Sequence, residues 1–192
     1  MRHLDDLLDT CQQLQNRLTD GPQVTVVLAS LRQVITQLDG QIEQVEKQIK
    51  QHLDQQPDLK EAHDLLTSIK SVGSRTATVL RGEIERLCAY RHSDEVVAYA
   101  GLNPKERQSG TSIKGKTWLS KMGNVRIRKA LYLPAINAIQ YNPIIKRLAE
   151  RLEKRGLCKM AIIGAAMRKL LQLAFGVLKT GKPFDENHAF AA

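Results

Sequence analysis

From Leu28 onward the apolar residues fall at Leu28, Leu31, Ile35, Leu38, Ile42, Val45 and Ile49, in alternating steps of three and four, with Gln, Glu and Lys prominent in the intervals. That spacing gathers every apolar side chain on one stripe of an α-helix and would scatter them over both faces of a strand. With Leu28, Ile35, Ile42 and Ile49 at a and Leu31, Leu38 and Val45 at d, the mainly β-branched a layer favours a parallel two-stranded coil; Gly40 falls at the outward f position and His52 spoils the next d. The segment before it repeats the pattern in short form, Leu4, Leu7, Cys11, Leu14 and Leu18, until Asp20-Gly21-Pro22 stops it. The expectation is helix, turn, longer helix. A first helix of about 17 residues covers only part of one of about 30, at 1.5 Å per residue. The far end therefore needs another partner, and self-association through the coil is expected. The competing reading is an intramolecular helical hairpin capped by the rest of the chain.

The full length of 192 residues suits one ordinary domain, or a small domain with an elongated appendage, and excludes two full-sized enzyme domains. Aromatic residues make up only 4% of the chain, which fits helices built on Leu, Ile, Val and Ala better than a sheet sandwich. The formal charge of +9 points to polyanionic partners, and its distribution is more informative. Residues 1–66 hold six basic against eleven acidic side chains, net −5, whereas residues 67–192 hold 23 against nine, net +14. The front is acidic and the back is basic.

Cys11, Cys88 and Cys158 lie far apart, form no CxxC pair and lack the His spacing of a zinc site, as suits a reducing cytosol. The N-terminus has no apolar core for a signal peptide, and the apolar run Met160 to Leu178 is interrupted by Arg168, Lys169 and Gln172, so a cytoplasmic protein without a membrane span is expected. His3, His52, His63, His92 and His188 never approach ligand spacing, Glu83 and Glu85 would point to different helix faces, and no Walker-type loop is present; no metal site is read.

After Pro57 the elements shorten. Leu65 to Leu80 reads as helix, tight turn at Gly73, helix, the pattern of a helix-hairpin-helix that holds a phosphate on backbone N–H groups, with Gly73 and Arg75 as the contacts. The usual hairpin has a second small residue, most often Gly, where Ser71 stands. Two apolar helices around a Gly also make a plain packing corner. Asp94 to Ala100 reads as a short helix, and the polar run through Ser109-Gly110 as a small β-hairpin or loop. Three amphipathic helices then follow, from Gly123-Asn124 to Tyr141, from Ile144 to Arg155, and from Met160 to Lys179.

Between Pro104 and Lys129 stand Lys105, Arg107, Lys114, Lys116, Lys121, Arg126, Arg128 and Lys129 against the single acid Glu106, net +7. A one-signed cluster of that density is a nucleic-acid footprint, and several of its cations open a helix, where the dipole also favours phosphate. The alternative is a merely solvated basic face. Lys and Arg contact phosphate in DNA and RNA alike, so the residues leave that choice open. Ser109, between Arg107 and Gly110, could attack phosphorus with the neighbouring cations stabilising the phosphorane. Ser-Gly is also a turn dipeptide, Thr111 and Ser112 are competing hydroxyls, and no adjacent His or carboxylate offers itself as base.

The series Tyr99-Ala100-Gly101-Leu102-Asn103-Pro104, Gln108-Ser109-Gly110, Ser120-Lys121-Met122-Gly123-Asn124 and Ile127-Arg128-Lys129-Ala130-Leu131, continuing through Tyr141-Asn142-Pro143 and Gly181-Lys182-Pro183-Phe184, resembles the C-terminal domain of the DEDD-type bacterial insertion-sequence transposases. These are related to the Piv DNA invertases and are known as bridge-RNA-guided recombinases; the N-terminal helices resemble the family's central coiled coil. The resemblance implies that Ser109 is the catalytic serine, forming a covalent phosphoserine link to double-stranded DNA, with a guide RNA as a further partner. It also implies a second active-site half, a RuvC-like nuclease fold whose four acids bind magnesium. This sequence starts about where that fold ends, so no residue here inherits those roles, magnesium is expected only with the nuclease half, and the serine alone is expected to be inactive.

The resulting expectation is a mainly α chain. It comprises a helix pair and coiled-coil dimerisation segment at 1–57, a C-terminal transposase domain at 58–184 holding the helix-hairpin-helix (65–85) and the basic serine-bearing segment (101–129), and a tail at 185–192. The alternative function is a non-catalytic nucleic-acid-binding module, or a regulator that forms mixed oligomers with an intact transposase.

Overall fold

The computed structural model describes residues 2–21, 24–84, 90–105, 108–109, 113–114, 118–120 and 122–186, with the backbone alone at 84, 108–109 and 113–114. The chain is mainly α, with eight helices among the described residues and two short antiparallel ladders. It divides into two compact units, 1–60 and 61–192.

The first unit is a helical hairpin. α1 (Arg2–Asp20) turns at Gly21 into α2 (Thr25–Gln55), and the two pack against each other. The Gly21 N–H closes on Arg17 O at 2.9 Å, and a Cβ at Gly21 would sit 2.2 Å from that same oxygen, so glycine ends the helix for a steric reason. Leu4, Leu7 and Cys11 are buried, and the Cys11 thiol donates to Asp39 Oδ1 at 3.4 Å across the hairpin. Burial, with the Asp39 carboxylate beside it, pushes the Cys11 thiol above the ordinary thiol range.

α2 has no fully buried residue. Its half-buried positions are Leu28, Leu31, Ile35, Leu38, Ile42, Val45, Ile49 and Leu53, every other position being exposed. The heptad stripe is thus the contact face, but a single shorter helix only half covers it. Past Ile49 the stripe steps by four to Leu53, so His52 lies exposed beside the stripe and a leucine carries it on.

α3 (Pro57–Thr67) leads into the second unit, followed by α4 (Ser74–Ile84), α5 (Ser93–Tyr99), α6 (Val125–Tyr141), α7 (Pro143–Lys154) and α8 (Lys159–Thr180). Pro57 stands where a missing N–H costs nothing, at the start of a helix. α8 is the central post. By length and composition it could cross a bilayer, yet half of its apolar window is buried in the unit, with Leu170, Leu171 and Ala174 wholly inaccessible, and it packs on α5, α6 and α7. Around it gather Leu66, Ile69, Leu80, Leu102, Ile127, Leu131 and Ile145. Gly181, at φ 63°, ends α8 in the left-handed cap that glycine adopts without strain.

Asn142 is the one buried polar residue among the described core. Its N–H donates to Ala138 O (2.9 Å), and its Oδ1 accepts from the N–H groups of Ile144 (3.1 Å) and Ile145 (3.3 Å). Its Nδ2 reaches Lys70 O (3.3 Å) in the turn after α3. One amide therefore ends α6, caps α7 and ties both to the α3–α4 turn, leaving none of its polar atoms unpaired in the core.

Candidate nucleic-acid interface

The basic segment leaves the helical core as an arm. β1 (Pro104–Lys105) pairs with β4 (Trp118–Leu119), setting Pro104 opposite Leu119 and Lys105 opposite Trp118. β2 (Gln108–Ser109) pairs with β3 (Ile113–Lys114), setting Gln108 opposite Lys114 and Ser109 opposite Ile113. Both ladders are antiparallel, and two residues separate them on the outward path but three on the return. The register shifts by one between them. Ser109 thus lies in the outer ladder, with three residues between it and its partner Ile113 in the chain.

The root of the arm is where the two glycines of the sequence motif earn their place. Gly101, at φ 68°, follows α5, and Gly123, at φ 139°, precedes α6. A Cβ on Gly123 would lie 2.2 Å from Tyr99 O and 2.8 Å from Gly101 N, and one on Gly101 would lie 2.6 Å from Met122 O. The outgoing and returning backbones pass too closely for side chains, and both need a left-handed conformation. Asn124 N–H donates to Tyr99 O (2.8 Å) and Ser120 N–H to Asn103 O (2.9 Å), closing the root.

Asn124 then starts α6. Its Oδ1 accepts from the N–H groups of Arg126 (2.9 Å) and Ile127 (3.2 Å), as an N-cap does. Its Nδ2 donates to Glu83 Oε2 (2.5 Å) and to the Tyr99 hydroxyl (3.2 Å). The other carboxylate oxygen of Glu83 accepts from Arg126 Nη1 at 2.7 Å. Glu83, near the end of α4, therefore binds both the cap and the first turn of α6, at a site where only 17% of its side chain is exposed. Arg128 Nη1 donates to Ala100 O at 2.8 Å. On the other side Leu119 packs over Gly164 of α8, where a Cβ would meet its Cδ1 at 2.9 Å.

The sequence-derived residues separate into groups. Lys105, Ser109 and Lys114 lie on the arm, while Arg107, Lys116 and Lys121 lie outside the described residues, as do the competing hydroxyls of Thr111 and Ser112. Arg126, Arg128 and Lys129 stand in the first turns of α6; the two guanidiniums hold the root together, and Lys129 is exposed. Gly73 and Arg75 lie at the opposite end of α4 from Glu83, about 12 Å along the helix from Arg75. The turn there has Ser71 at φ 82°, a left-handed conformation at the very position where Gly is usual. Gly73 is exposed, a Cβ on it would meet nothing within 4 Å, and its carbonyl accepts the first bond of α4 from Ala77 N–H (2.9 Å). Glu83, Tyr99 and Gly164 were not selected from the sequence. Glu83 is 41 residues from Asn124 and carries no local signal of the contact. Among the described residues no three His, Cys, Asp or Glu side chains gather where they could hold a metal ion.

Residues 63–150, from α3 through the arm to the middle of α7, match the transposase IS116/IS110/IS902 family. That stretch resembles a transposase domain of this family. The pilin gene-inverting protein of Moraxella bovis is 33% identical over 153 residues, covering 79% of this chain and 45% of the relative. Its Moraxella lacunata counterpart gives the same figures. An uncharacterised 43.6 kDa protein of insertion element IS110 from Streptomyces coelicolor is 27% identical over 187 residues, 96% of this chain and 44% of the relative. The chain spans a little under half the length of each of these relatives. The matched stretch includes the arm and its root, Asn124 among them.

Proposed function

We propose that this chain acts in DNA recombination, with the arm as its contact to double-stranded DNA and Ser109 as the nucleophile for strand exchange. The observation that carries the reading is the arm itself: a basic, serine-bearing β excursion whose root is fixed by two glycines, an N-cap and a partly buried carboxylate. A loop held so rigidly at its base presents its outer residues at a defined place, as a nucleophile on DNA requires. In the step itself the serine oxygen bonds to phosphorus as a phosphodiester P–O bond breaks. The released sugar hydroxyl takes the proton, and the nearby cations stabilise the phosphorane charge.

A magnesium-binding nuclease half is part of this reading, and the described residues do not fit that ion. Glu83, at the root of the arm, is already engaged by Asn124 and Arg126. No step is therefore assigned to a metal held by this chain, and activity is expected only with a RuvC-like domain present. A guide RNA and an intact transposase are the further partners of the proposal.

The half-covered stripe of α2 favours self-association through this helix, since eight aliphatic residues on one face stay only partly buried. Sedimentation at micromolar concentration should show an oligomer, and a monomer would remove that part of the proposal. For the chemistry, the chain is mixed with a separately produced RuvC-like domain, magnesium and duplex DNA, and protein–DNA adducts are resolved on denaturing gels. Ser109→Ala should abolish the adduct and leave affinity nearly unchanged; undiminished adduct in the alanine variant would refute the serine role. Adduct-free binding under all metal conditions would instead support a non-catalytic module.

A further inference from the structure

We infer that the corner between α7 and α8 is a second contact surface for the backbone of duplex DNA, continuing the basic surface of the arm. This rests on the proposed DNA-binding role of the arm and adds residues that lie outside its sequence segment. Arg151, Lys154 and Arg155 stand at i, i+3 and i+4, and so share a side of α7 and its cap; Lys159 opens α8 beyond a tight turn at Gly156, φ 79°. All four are exposed, and among the described residues none has an ion-pair or side-chain hydrogen-bond partner.

The fold brings this corner to the root of the arm. Leu152 and Ala149 of α7 pack against Ile162 of α8, so the end of one helix lies beside the start of the other. One turn beyond Lys159 and Met160 comes Gly164, the residue on which Leu119 of β4 rests. Lys159 is thus only about 7.5 Å along α8 from the point where the arm touches it. Met160, exposed, shares the helix face of Gly164 four residues on.

Internal electrostatics do not account for the cluster. Cations at the end of α7 complement its dipole, which explains Lys154 and Arg155, but Lys159 sits in the first turn of α8, where the dipole opposes a positive charge and no acid is present. Glu150 precedes Arg151 and Glu153 stands between Arg151 and Lys154 in the chain; from Lys154 to Phe184 it then holds seven basic residues and no acid. Arg151 to Arg155 spans about 6 Å of helix, enough to meet about two phosphates of one strand at their 3.4 Å axial spacing. The ligand is duplex DNA, because the arm beside it is read as gripping that polymer.

The test is fluorescence anisotropy of the full chain on a labelled mixed-sequence duplex, across a salt series of about 50 to 200 mM. The variant Arg151→Gln/Lys154→Gln/Arg155→Gln/Lys159→Gln is compared with the arm variant Lys105→Gln/Lys114→Gln, and circular dichroism checks the fold. The corner variant should lower the magnitude of the log K against log salt slope by about two units or more, and Lys159→Glu alone should weaken binding measurably. If the arm variant lowers affinity and slope while both corner variants leave them unchanged, the corner is not a contact and the arm reading stands. If the unaltered chain shows no salt-dependent duplex binding, both fall. A corner effect on duplex RNA with none on duplex DNA overturns the assignment to DNA.

Discussion

Asn124 is the residue through which the root of the arm can be tested, because it performs two separable tasks. Its Oδ1 caps α6, and its Nδ2 reaches across to Glu83. Asn124→Ala removes both. Loss of the cap costs about 1 kcal/mol. A hydrogen bond to a charged group contributes about 1.5 to 3 kcal/mol, but Glu83 keeps Arg126 as partner and 17% of its side chain remains exposed, so roughly 1 kcal/mol is the share to assign here. The sum is about 2 kcal/mol, or a fall in melting temperature of about 6 °C at roughly 3 °C per kcal/mol for a unit of this size. Asn124→Asp separates the tasks. It retains the acceptor and adds a charge that the helix start favours, but it sets two carboxylates where a 2.5 Å hydrogen bond stood. At neutral pH it should be no more stable than Asn124→Ala, and its deficit should shrink below about pH 5, where one proton shared between like charges relieves them. The assay is urea unfolding followed by the fluorescence of Trp118, the single tryptophan, which lies at the base of the arm. An aspartate variant at least as stable as the unaltered chain at pH 7 would show that Asn124 is only a cap, and would refute the role given to Glu83.

Other consequences can be measured alongside. Ser71→Gly relieves a left-handed conformation in a residue with a Cβ and should raise stability by about 0.5 to 1 kcal/mol, read as a higher urea midpoint. Gly123→Ala introduces both strain at φ 139° and a backbone clash, and should cost more than about 3 kcal/mol, with Trp118 fluorescence shifted even where far-UV dichroism survives. Because the folded Cys11 thiol titrates above its unfolded value, its contribution is present at neutral pH and lost as pH rises through the alkaline range. The unaltered chain should therefore lose stability relative to Cys11→Ala as pH rises above about 8.5, and at pH 8 mass spectrometry should find exposed Cys158 alkylated well before buried Cys11. Ile42→Lys, on the half-buried stripe of α2, should shift sedimentation toward the monomer.

Much of the molecule is legible from local chemistry. The 3,4 spacing specifies α2 and its contact face residue by residue, because helical periodicity acts between neighbours three and four apart. Asn124 and Asn142-Pro143 mark helix starts for the same local reason, a side chain reaching the next N–H groups. The arm was legible as a small hairpin or loop. Its cations also stood out as one-signed, although the partners of Arg126 and Arg128 could not be read: one is Glu83, the other a carbonyl at the end of α5.

Sequence alone thus determined the helical class, the stripe of α2 and the charge of the arm, all set by residues close along the chain. Tertiary structure decided the rest. It chose glycine at 101 and 123 because two backbones cross there, gave Glu83 its partners 41 and 43 residues away, and set Gly164 beneath Leu119. It also laid the end of α7 beside the start of α8. Such contacts depend on how whole helices pack, and packing distances between remote segments leave no periodicity in the chain for a reader to find.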